Sequence, residues 1–253
     1  MLRKPNPDNI SIVLHRPSSP ENIGAAARAI RNMGFSSLIV VEPVIYEIER
    51  IRKMATHAAS DIVENIKIED SLKHALEPFH YVVGATARTG RQRKDILTPN
   101  QIAGHIANLC VNNRTAVLFG PEDRGLSNEN LRLCHALVNI PTADFSSLNL
   151  AQAVMLICYE IFIASSTAEP EILPRLASRL ELDNMYDHLR EVLIHISFIN
   201  PQNPDYWMNN LRRFFSRLEL RAKEVSIIRG ICRQIDWYAE KRFKDGLKQD
   251  EKR

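Results

Sequence analysis

The stretch TAVLFGPEDRGL, at residues 115–126, indicates which fold this chain adopts. Its first five residues are apolar or β-branched, as in a strand that is buried on both faces. The charged residues that follow stand between Gly120 and Gly125, and glycine can adopt backbone conformations that other residues avoid. A helical pattern then begins, with Ser127 as the expected N-cap. The segment predicts a ligand-binding turn of an α/β sheet, with a simple turn into the next helix as the alternative.

The same order of strand and helix repeats on both sides of this stretch. The predicted strands are residues 10–15, 38–41, 66–68, 81–85, 115–119 and 137–140. The predicted helices are residues 23–33, 48–62, 71–76, 99–109, 127–134 and 148–166. Strands that alternate with helices predict the α/β class, with a mostly parallel sheet and helices on both faces.

The last third of the chain has helical patterns only. Residues 167–176 are small, acidic and proline-containing, which predicts a linker. Helical patterns follow at residues 177–199, 205–220 and 222–244. We therefore predict a first domain of residues 1–166 and a small all-α C-terminal extension of residues 177–253. An appendage of that size needs to dock on the main domain or on a partner subunit to be stable.

The composition is that of a soluble globular protein. Of the 253 residues, 45% are hydrophobic and 25% are charged, which is ordinary for this class. The N-terminal residues lack the apolar core of a signal peptide. The most apolar stretch, residues 151–166, contains Gln152, Tyr159 and Glu160. We expect this stretch to be too short and too polar to span a bilayer, and to form a buried helix.

The four cysteines stand far apart, at positions 110, 134, 158 and 232, and form no C-x-x-C pair. The histidines do not pair at metal-ligand spacing either. Scattered thiols of this kind are typical of a reducing compartment. We therefore predict a cytoplasmic protein without structural disulfides and without a metal ion.

Basic residues are clustered locally although the net charge is only +3. One cluster is RTGRQRK at residues 88–94, and the other, at residues 212–233, has seven basic residues against two acidic ones. Residues 171–253 contain 16 basic and 13 acidic residues, which accounts for the whole excess. Such clusters favour a docking surface for a polyanion, with a solvated helix face as the alternative.

Several common nucleotide sites are excluded by the sequence. It has neither a G-x-x-x-x-G-K-[ST] loop nor a G-x-G-x-x-G turn after the first strand, and the glycine-rich loop of Rossmann-type methyltransferases is missing too. A G-x-S-x-G nucleophile elbow is also missing. An α/β sheet without these loops must bind its ligand elsewhere along the carboxyl ends of its strands.

Two more polar segments follow predicted strands. PENIGAAARAI, at residues 20–30, contains Asn22, Gly24 and Arg28, and its alanines allow close approach of another backbone or a substrate. On this segment alone, a surface salt bridge is the favoured interpretation of Arg28. IPTADFSSLNLAQA, at residues 140–153, contains Ser146, Ser147 and Asn149. One serine could serve as an N-cap, whereas an asparagine in the first helical turn is less expected and favours a functional role.

Together, the three segments resemble the motifs of the SPOUT superfamily, specifically the TrmH-type RNA ribose 2′-O-methyltransferases. The pattern N-x-G-x-x-x-R matches residues 22–28, F-G-x-E-x-x-G-L matches residues 119–126, and I-P followed by S-S-L-N-L-A matches residues 140–151. All three occur in order, each after a predicted strand. The helical tail, at residues 211–235, is similar to the C-terminal extension of the TrmJ subfamily, whose members methylate the ribose of tRNA nucleotide 32.

The resemblance implies a fold, a cofactor and an assembly. The fold would be the SPOUT α/β-knot, with a deep C-terminal trefoil knot, and the protein would be a homodimer. The cofactor would be S-adenosyl-L-methionine, bent within the knot. The residues expected to bind it are Ala85, Thr86, Ala87, Gly120, Ile140, Ser146, Ser147 and Leu148.

The resemblance also assigns roles to single residues. Arg28 would be the catalytic arginine, as a contested base or as a clamp on phosphate and oxyanion, since a guanidinium is almost always protonated. Asn22 would orient Arg28 or the ribose, and Glu122 would organise its loop. Ser147 and Asn149 would position cofactor or substrate. The residues expected to hold tRNA phosphates are Arg88, Arg91, Arg93, Lys94, Arg212 and Arg213.

Three functions remain open from the sequence. The first is 2′-O-methylation of cytidine or uridine at tRNA nucleotide 32, and the second is a TrmH-type reaction at another tRNA or rRNA site. The third is a non-catalytic RNA-binding protein that kept the fold, against which the intact Asn22, Arg28, Glu122 and Asn149 argue.

Overall fold

The computed structural model describes residues 5–88, 96–145, 147–167, 171–200, 202–215 and 218–250, with side chains of the last range described to residue 242. The packing divides the chain into two compact units, Met1–Arg175 and Leu176–Arg253. The first unit holds the sheet, and the second holds helices.

The first unit is built on a parallel sheet. Its strands are β1 Ile10–His15, β2 Ser37–Val41, β3 Lys67–Glu69, β4 Tyr81–Ala85, β5 Ile96–Leu97, β6 Thr115–Phe119 and β7 Ala136–Val138. Among the described residues the strand order is β3-β2-β1-β6-β4-β7-β5, and every pairing is parallel. The predicted α/β class is thereby confirmed. Because all strands point the same way, the loops after β4, β6 and β7 leave the sheet at one edge.

Seven α-helices of the described chain pack around this sheet. They are α1 Pro20–Asn32, α2 Ile48–Ala55, α3 Ser60–Glu64, α4 Leu72–Leu76, α5 Pro99–Leu109, α6 Asn128–Arg132 and α7 Leu150–Thr167. Alternate residues of a strand face opposite sides of the sheet. Val13 belongs to one apolar cluster, whereas its neighbours Ile12 and Leu14 point to the other side, and all three are fully buried. The sheet is therefore covered on both faces.

Some boundaries differ from the sequence-based prediction. The single helix expected at residues 48–62 is divided into α2 and α3 by a 3-10 turn, which begins beside Thr56 with a φ of +59°. The expected last strand ends at Val138, so Ile140 lies in the loop beyond it. Strand β5 was not predicted. The trefoil knot implied by the resemblance stays a prediction.

Helix α7 corrects the expectation for the most apolar stretch. It has 18 residues and, by length and composition alone, could cross a membrane, contrary to the expectation that it is too short and too polar. A core helix of a soluble protein passes the same test. One side of α7 packs on α1 and α5, with Val154, Ile157 and Cys158 fully buried. The opposite side exposes large apolar residues, so the helix is only partly buried.

The described residues of the second unit form three helices, α8 Arg179–His195, α9 Pro204–Phe215 and α10 Ala222–Asp250. Its apolar core includes Met185 and Tyr186. The carboxylate of Asp183 is buried and accepts hydrogen bonds from Arg179 at 2.8 Å and from Arg212 at 3.3 Å. Because both arginines lie within reach of the same carboxylate, this buried group joins α8 to α9.

The segment predicted as a linker is attached to the first unit near the C-terminal end of that segment. The side-chain amides of Asn112 and Asn113 donate to the carbonyl oxygens of Leu173 and Pro174, both at 3.1 Å. Asn113 is fully buried, so its hydrogen bond holds this part of the chain in place.

Candidate active site

A cavity of about 330 Å³ opens where β4, β6 and β7 end. Seven of the eight residues expected to bind the cofactor line it, and the eighth, Ser146, lies outside the described residues. The motif loop after β6 and the first turns of α7 complete the wall. The other lining residues to which the sequence analysis assigned no cofactor, catalytic or RNA-binding role are Phe119, Pro121, Asp123, Arg124, Gly125, Leu126, Val138, Asn139, Leu150 and Ala153.

The loop after β6 folds back on itself through its two glycines. Gly125 has a φ of +64°, in the left-handed region that favours glycine, and its amide donates to the carbonyl oxygen of Pro121 at 2.8 Å. A Cβ at Gly120 would overlap the carbonyl carbon of Gly125 and lie 2.5 Å from the amide nitrogen of Leu126. The loop is therefore closed by backbone contact, which only glycine at position 120 permits.

Asn139 joins the ends of β4 and β7, and sequence reasoning missed it. Its side-chain amide donates to the carbonyl oxygen of Thr86 at 2.8 Å, and the amide of Thr86 donates to Val138 at 2.9 Å. These bonds place the backbone at residues 85–87 against the cavity. The predicted strand at residues 137–140 included Asn139, so its polar side chain among apolar neighbours was the available signal.

Arg88 lies at the rim of the cavity. Its guanidinium donates to the carbonyl oxygen of Arg124 at 2.9 Å, and the side chain of Arg124 in turn pairs with Asp123 at 2.9 Å. Arg88 thus ties the loop after β4 to the loop after β6. Its predicted contact with RNA phosphate stays a prediction, as do those of Arg91, Arg93 and Lys94, which lie outside the described residues.

The three motif residues Glu122, Asn22 and Asn149 form one chain of hydrogen bonds. The amide of Asn22 donates to Glu122 Oε1 at 3.0 Å, and the amide of Asn149 donates to Asn22 Oδ1 at 2.8 Å. Glu122 Oε2 accepts from the backbone N–H of Ser18 at 3.0 Å and from its hydroxyl at 2.9 Å. Residues 100 or more positions apart in sequence are therefore held together at the cavity.

The hydrogen bonds to Glu122 affect its acidity. Partial burial by itself raises the pKa of this carboxyl group, but the bonds donated by Asn22, by Ser18 and by its own backbone outweigh that effect and leave the pKa below its ordinary value. Glu122 is thus an ionised hydrogen-bond acceptor at neutral pH.

Asn149 caps helix α7, whereas the sequence predicted that it lies within the first turn of this helix. Helix α7 begins at Leu150, so Asn149 precedes the first turn and does not lie within it. Its Oδ1 accepts from the amides of Ala151 at 2.9 Å and Gln152 at 3.4 Å, which is the pattern of an N-cap. Ser147, an alternative for this role, instead lines the cavity.

The other motif residues of α1 have separate surroundings. A Cβ at Gly24 would overlap the carbonyl oxygen of Ile51 and lie 2.9 Å from Met54 Cβ, so the close approach expected here is made by helix α2. Arg28 is exposed and, within the described part of the chain, makes no hydrogen bond or ion pair. The surface salt bridge considered for it is therefore not formed there. Arg28 is also not among the residues that line the cavity.

Arg212 and Arg213 lie on α9 of the second unit. The guanidinium of Arg212 stands 4.7 Å from the ring centroid of Tyr186 and contacts the carboxylates of Asp183 and Asp187 at 3.3 and 3.9 Å. Its charge is therefore compensated within the unit. Arg213 is exposed.

Comparisons with known proteins agree with this geometry. Residues 9–159 match the SpoU rRNA Methylase family, and residues 180–246 match the C-terminal domain of the tRNA methyltransferase TrmJ. The TrmJ protein of Pectobacterium atrosepticum, a tRNA (cytidine/uridine-2'-O-)-methyltransferase, is 37% identical over 90% of this chain and 97% of its own length. The corresponding Pseudomonas aeruginosa protein, also named for adenosine, is 36% identical over 88% of this chain and 92% of its own.

A solved structure shows the same relationship. TrmJ from Z. mobilis ZM4 superposes with a TM-score of 0.77 at 28% identity, covering 89% of this chain and 98% of that one. Similarity of this extent spans both units, and it includes the loops that build the cavity. The chain is therefore an RNA methyltransferase that belongs to the SpoU rRNA Methylase family and, within it, to the TrmJ proteins.

Proposed function

We propose that this protein transfers a methyl group from S-adenosyl-L-methionine to a ribose 2′-hydroxyl of tRNA, at cytidine or uridine 32 of the anticodon loop. The observation that carries the proposal is the cavity beside which all three motif segments meet, with Glu122, Asn22 and Asn149 in one hydrogen-bonded chain. The names and coverage of the TrmJ relatives support tRNA as the substrate.

The cavity suits the methyl donor in size and in composition. Its volume of about 330 Å³ lies in the range of small-molecule sites. Gly120 lets the loop after β6 close on itself, because a Cβ there would overlap the backbone of Gly125, and the closed loop forms one wall of the cavity. Ala85, Thr86, Ala87, Ile140 and the loop at residues 146–148 would hold the nucleoside and amino-acid parts. When bound, S-adenosyl-L-methionine supplies a methyl group on a sulfonium, which is already a good electrophile.

The residues of the chain must orient the ribose and help its proton to leave. A ribose hydroxyl is a weak nucleophile at neutral pH, so holding its oxygen in line with the methyl group lowers the barrier. Because a guanidinium group is a poor base, Arg28 is better suited to grip the neighbouring phosphate and to stabilise negative charge on the oxygen. Asn22 and Asn149 keep their amides in fixed orientations beside Glu122, and Ser147 contacts the cofactor or ribose from the cavity wall.

The protein acts as a homodimer in this proposal. Helix α7 exposes Leu156, Tyr159, Phe162 and Ile163, with between 39% and 48% of each residue accessible. Exposed apolar residues on one helix face are typical of a surface that another protein chain covers. A second copy of this chain is the partner that the family implies.

Substrate binding uses both parts of the chain. We propose that residues 1–166 form the methyltransferase domain, that residues 167–176 link it to residues 177–253, and that both bind tRNA. Arg88 contacts phosphates at the rim of the cavity, and Arg91, Arg93 and Lys94 of the same basic cluster also bind phosphates. Arg213 and Arg212 do so on the extension, where Arg212 contributes less because its charge is compensated. The reaction requires no metal ion, and it takes place in the cytoplasm.

A second candidate is 2′-O-methylation of ribosomal RNA. The description of the matching family names rRNA as the substrate, and the residues around the cavity would serve either reaction. The two candidates differ in what the basic surfaces recognise.

The test is methyl transfer from radiolabelled S-adenosyl-L-methionine to unmodified tRNA transcripts with C, U, A or G at nucleotide 32. We expect incorporation that disappears when the ribose at that position is 2′-deoxy. The Arg28→Ala variant should bind RNA without turnover, which distinguishes an enzyme from an RNA-binding module. Cofactor binding without any methylation of tRNA, together with methylation of ribosomal RNA, would contradict the proposal and support the second candidate.

A further inference from the structure

Ser18 lies outside the motif that begins at Asn22, yet it makes two contacts with the motif carboxylate. Its backbone N–H and its hydroxyl both donate to Glu122 Oε2, at 3.0 and 2.9 Å. The hydroxyl of the next residue, Ser19, instead caps helix α1 by accepting from the backbone N–H of Asn22. The side chain of Ser18 is therefore committed to Glu122.

The hydrogen bonds that begin at Glu122 can run in one direction only. An ionised carboxylate accepts but cannot donate, so Asn22 must present its NH2 group to Glu122. The oxygen of Asn22 then faces Asn149 and accepts from it at 2.8 Å. Asn149 in turn presents its own oxygen to the amides that open α7. Each asparagine has one orientation that satisfies both of its neighbours.

We propose that Ser18 is a positioning residue for methyl transfer, which holds Glu122 as a pure acceptor and thereby fixes the amides of Asn22 and Asn149 beside the cavity. This inference rests on the proposed function. Through Asn149, it also couples the loop after β1 to the start of α7, whose residues Leu150 and Ala153 line the cavity.

The charged groups around Glu122 interact with other residues. Hydrogen bonds, opposed by partial burial, therefore determine the protonation state of Glu122. In its own loop, Asp123 and Arg124 pair with each other at 2.9 Å. On α1, Glu21 is held by Arg50 of α2 at 2.7 Å. Arg88, from the loop after β4, donates to the backbone of Arg124 and not to Glu122. Loss of the Ser18 hydroxyl removes one donor from the carboxylate and so shifts its pKa upward.

A protonated Glu122 would reverse this arrangement. If the proton lay on Oε1, its O–H would be a donor facing the NH2 group of Asn22, and the two donors would repel unless Asn22 turned over. A turned Asn22 would then present its NH2 group to the NH2 group of Asn149. The Ser18 hydroxyl therefore protects the amide orientations as the pH falls.

The experiment compares Ser18→Ala, Ser18→Thr and Ser36→Ala in the full chain. Ser36 is the matched control, because its exposed hydroxyl donates to the carboxylate of Asp8 at 3.1 Å, away from the cavity. Steady-state methyl transfer to tRNA is measured between pH 3.5 and 9, so that the range includes the titration of Glu122, with kcat and KM for both substrates. A second readout, which needs no turnover, is the 15N–1H spectrum of the side-chain amides of Asn22 and Asn149.

We expect Ser18→Ala to lower kcat about fivefold to twentyfold, with KM for the cofactor nearly unchanged, and to move the acidic limb of the pH profile to higher pH. Ser18→Thr should restore both, and Ser36→Ala should behave as the wild type. In Ser18→Ala the amide resonances of Asn22 and Asn149 should move and exchange faster with solvent. Wild-type kcat and pH profile in Ser18→Ala, or unchanged amide resonances, would overturn the inference. If the wild type does not methylate tRNA, the proposed function fails, and the amide spectra alone decide the role of Ser18.

Discussion

Gly120→Ala tests whether the loop after β6 shapes the cofactor cavity. The new Cβ would lie 2.5 Å from the amide nitrogen of Leu126 and 2.8 Å from the carbonyl oxygen of Gly125, whereas ordinary contacts are 3.4–4 Å. Both neighbours are backbone atoms, so no side-chain rotation relieves the overlap. The loop must therefore move by about 1 Å, and overpacking of this kind costs about 1–3 kcal/mol.

Part of that strain is released when the loop moves out of its cofactor-binding position. Restoring the position on binding then costs free energy, and 1–3 kcal/mol corresponds to a roughly fivefold to 150-fold weaker affinity. Isothermal titration calorimetry with S-adenosyl-L-methionine measures this change directly. Thermal unfolding of the same sample shows how much of the strain lowers stability instead.

Gly104→Ala is the matched control for this experiment. Gly104 lies within α5, and a Cβ there would meet no atom within 4 Å. Alanine in a helix interior is more favourable than glycine by about 0.5–1 kcal/mol, so this variant should melt slightly higher and bind the cofactor normally. If Gly120→Ala bound the cofactor as tightly as Gly104→Ala and melted at the wild-type temperature, the cavity would not depend on the backbone contact.

Three further predictions concern the residues around the site and the second unit. Asn149→Asp should keep the cap on α7 but lose the donor to Asn22, so the melting temperature should stay near wild type while kcat falls about tenfold; an unchanged kcat would contradict the proposed chain of hydrogen bonds. Because the pKa of Glu122 is lowered in the folded protein, its contribution to stability is present above its ordinary pKa and is lost as pH falls through the lowered value; melting curves between pH 2 and 7 should therefore show a smaller acid-induced loss in Glu122→Gln than in the wild type. Asp183→Ala leaves the buried Arg179 without its carboxylate and should destabilise the second unit by about 3–5 kcal/mol, measured by urea unfolding; a change below about 1 kcal/mol would show that the pair contributes little.

Residues expected at the site line one cavity because parallel strands bring their carboxyl ends to one edge. Runs of β-branched residues located these ends, and the polar loops after them were therefore expected to meet. Gly120, Thr86 and Leu148 line the cavity for this reason. The polar residues of these loops, rather than the exact length of each strand, were the basis for predicting a common site.

The sequence could not show which side chains bond to one another across the chain. Ser18 and Glu122 are separated by 104 positions, and a serine before a helix is ordinary unless the fold brings a carboxylate to it. Asn149 was placed inside α7 because helix boundaries depend on cap geometry, which sequence patterns define only within a few residues. The break between α2 and α3 depends on the left-handed conformation of Thr56, which threonine rarely adopts.

The sequence pattern also could not predict that one side of α7 is exposed. Its apolar residues surround the helix almost evenly, which indicates burial on every side. In the structure only one side packs on the first unit, and Tyr159 is 48% exposed on the other. A sequence pattern indicates that a residue prefers an apolar environment, but not which chain provides it.

The strand order also determines when the site can form during synthesis. Strand β1 pairs with β6, so the centre of the sheet cannot close until Thr115, the partner of Ile10, has been synthesised. At a translation rate of about 5–20 residues per second, this delay is roughly 5–20 seconds. The cavity forms later still, because its wall includes Ala153 of α7. Until then the apolar edge of β1 is exposed on the nascent chain, and we expect this interval to be the period when the protein most needs protection from aggregation.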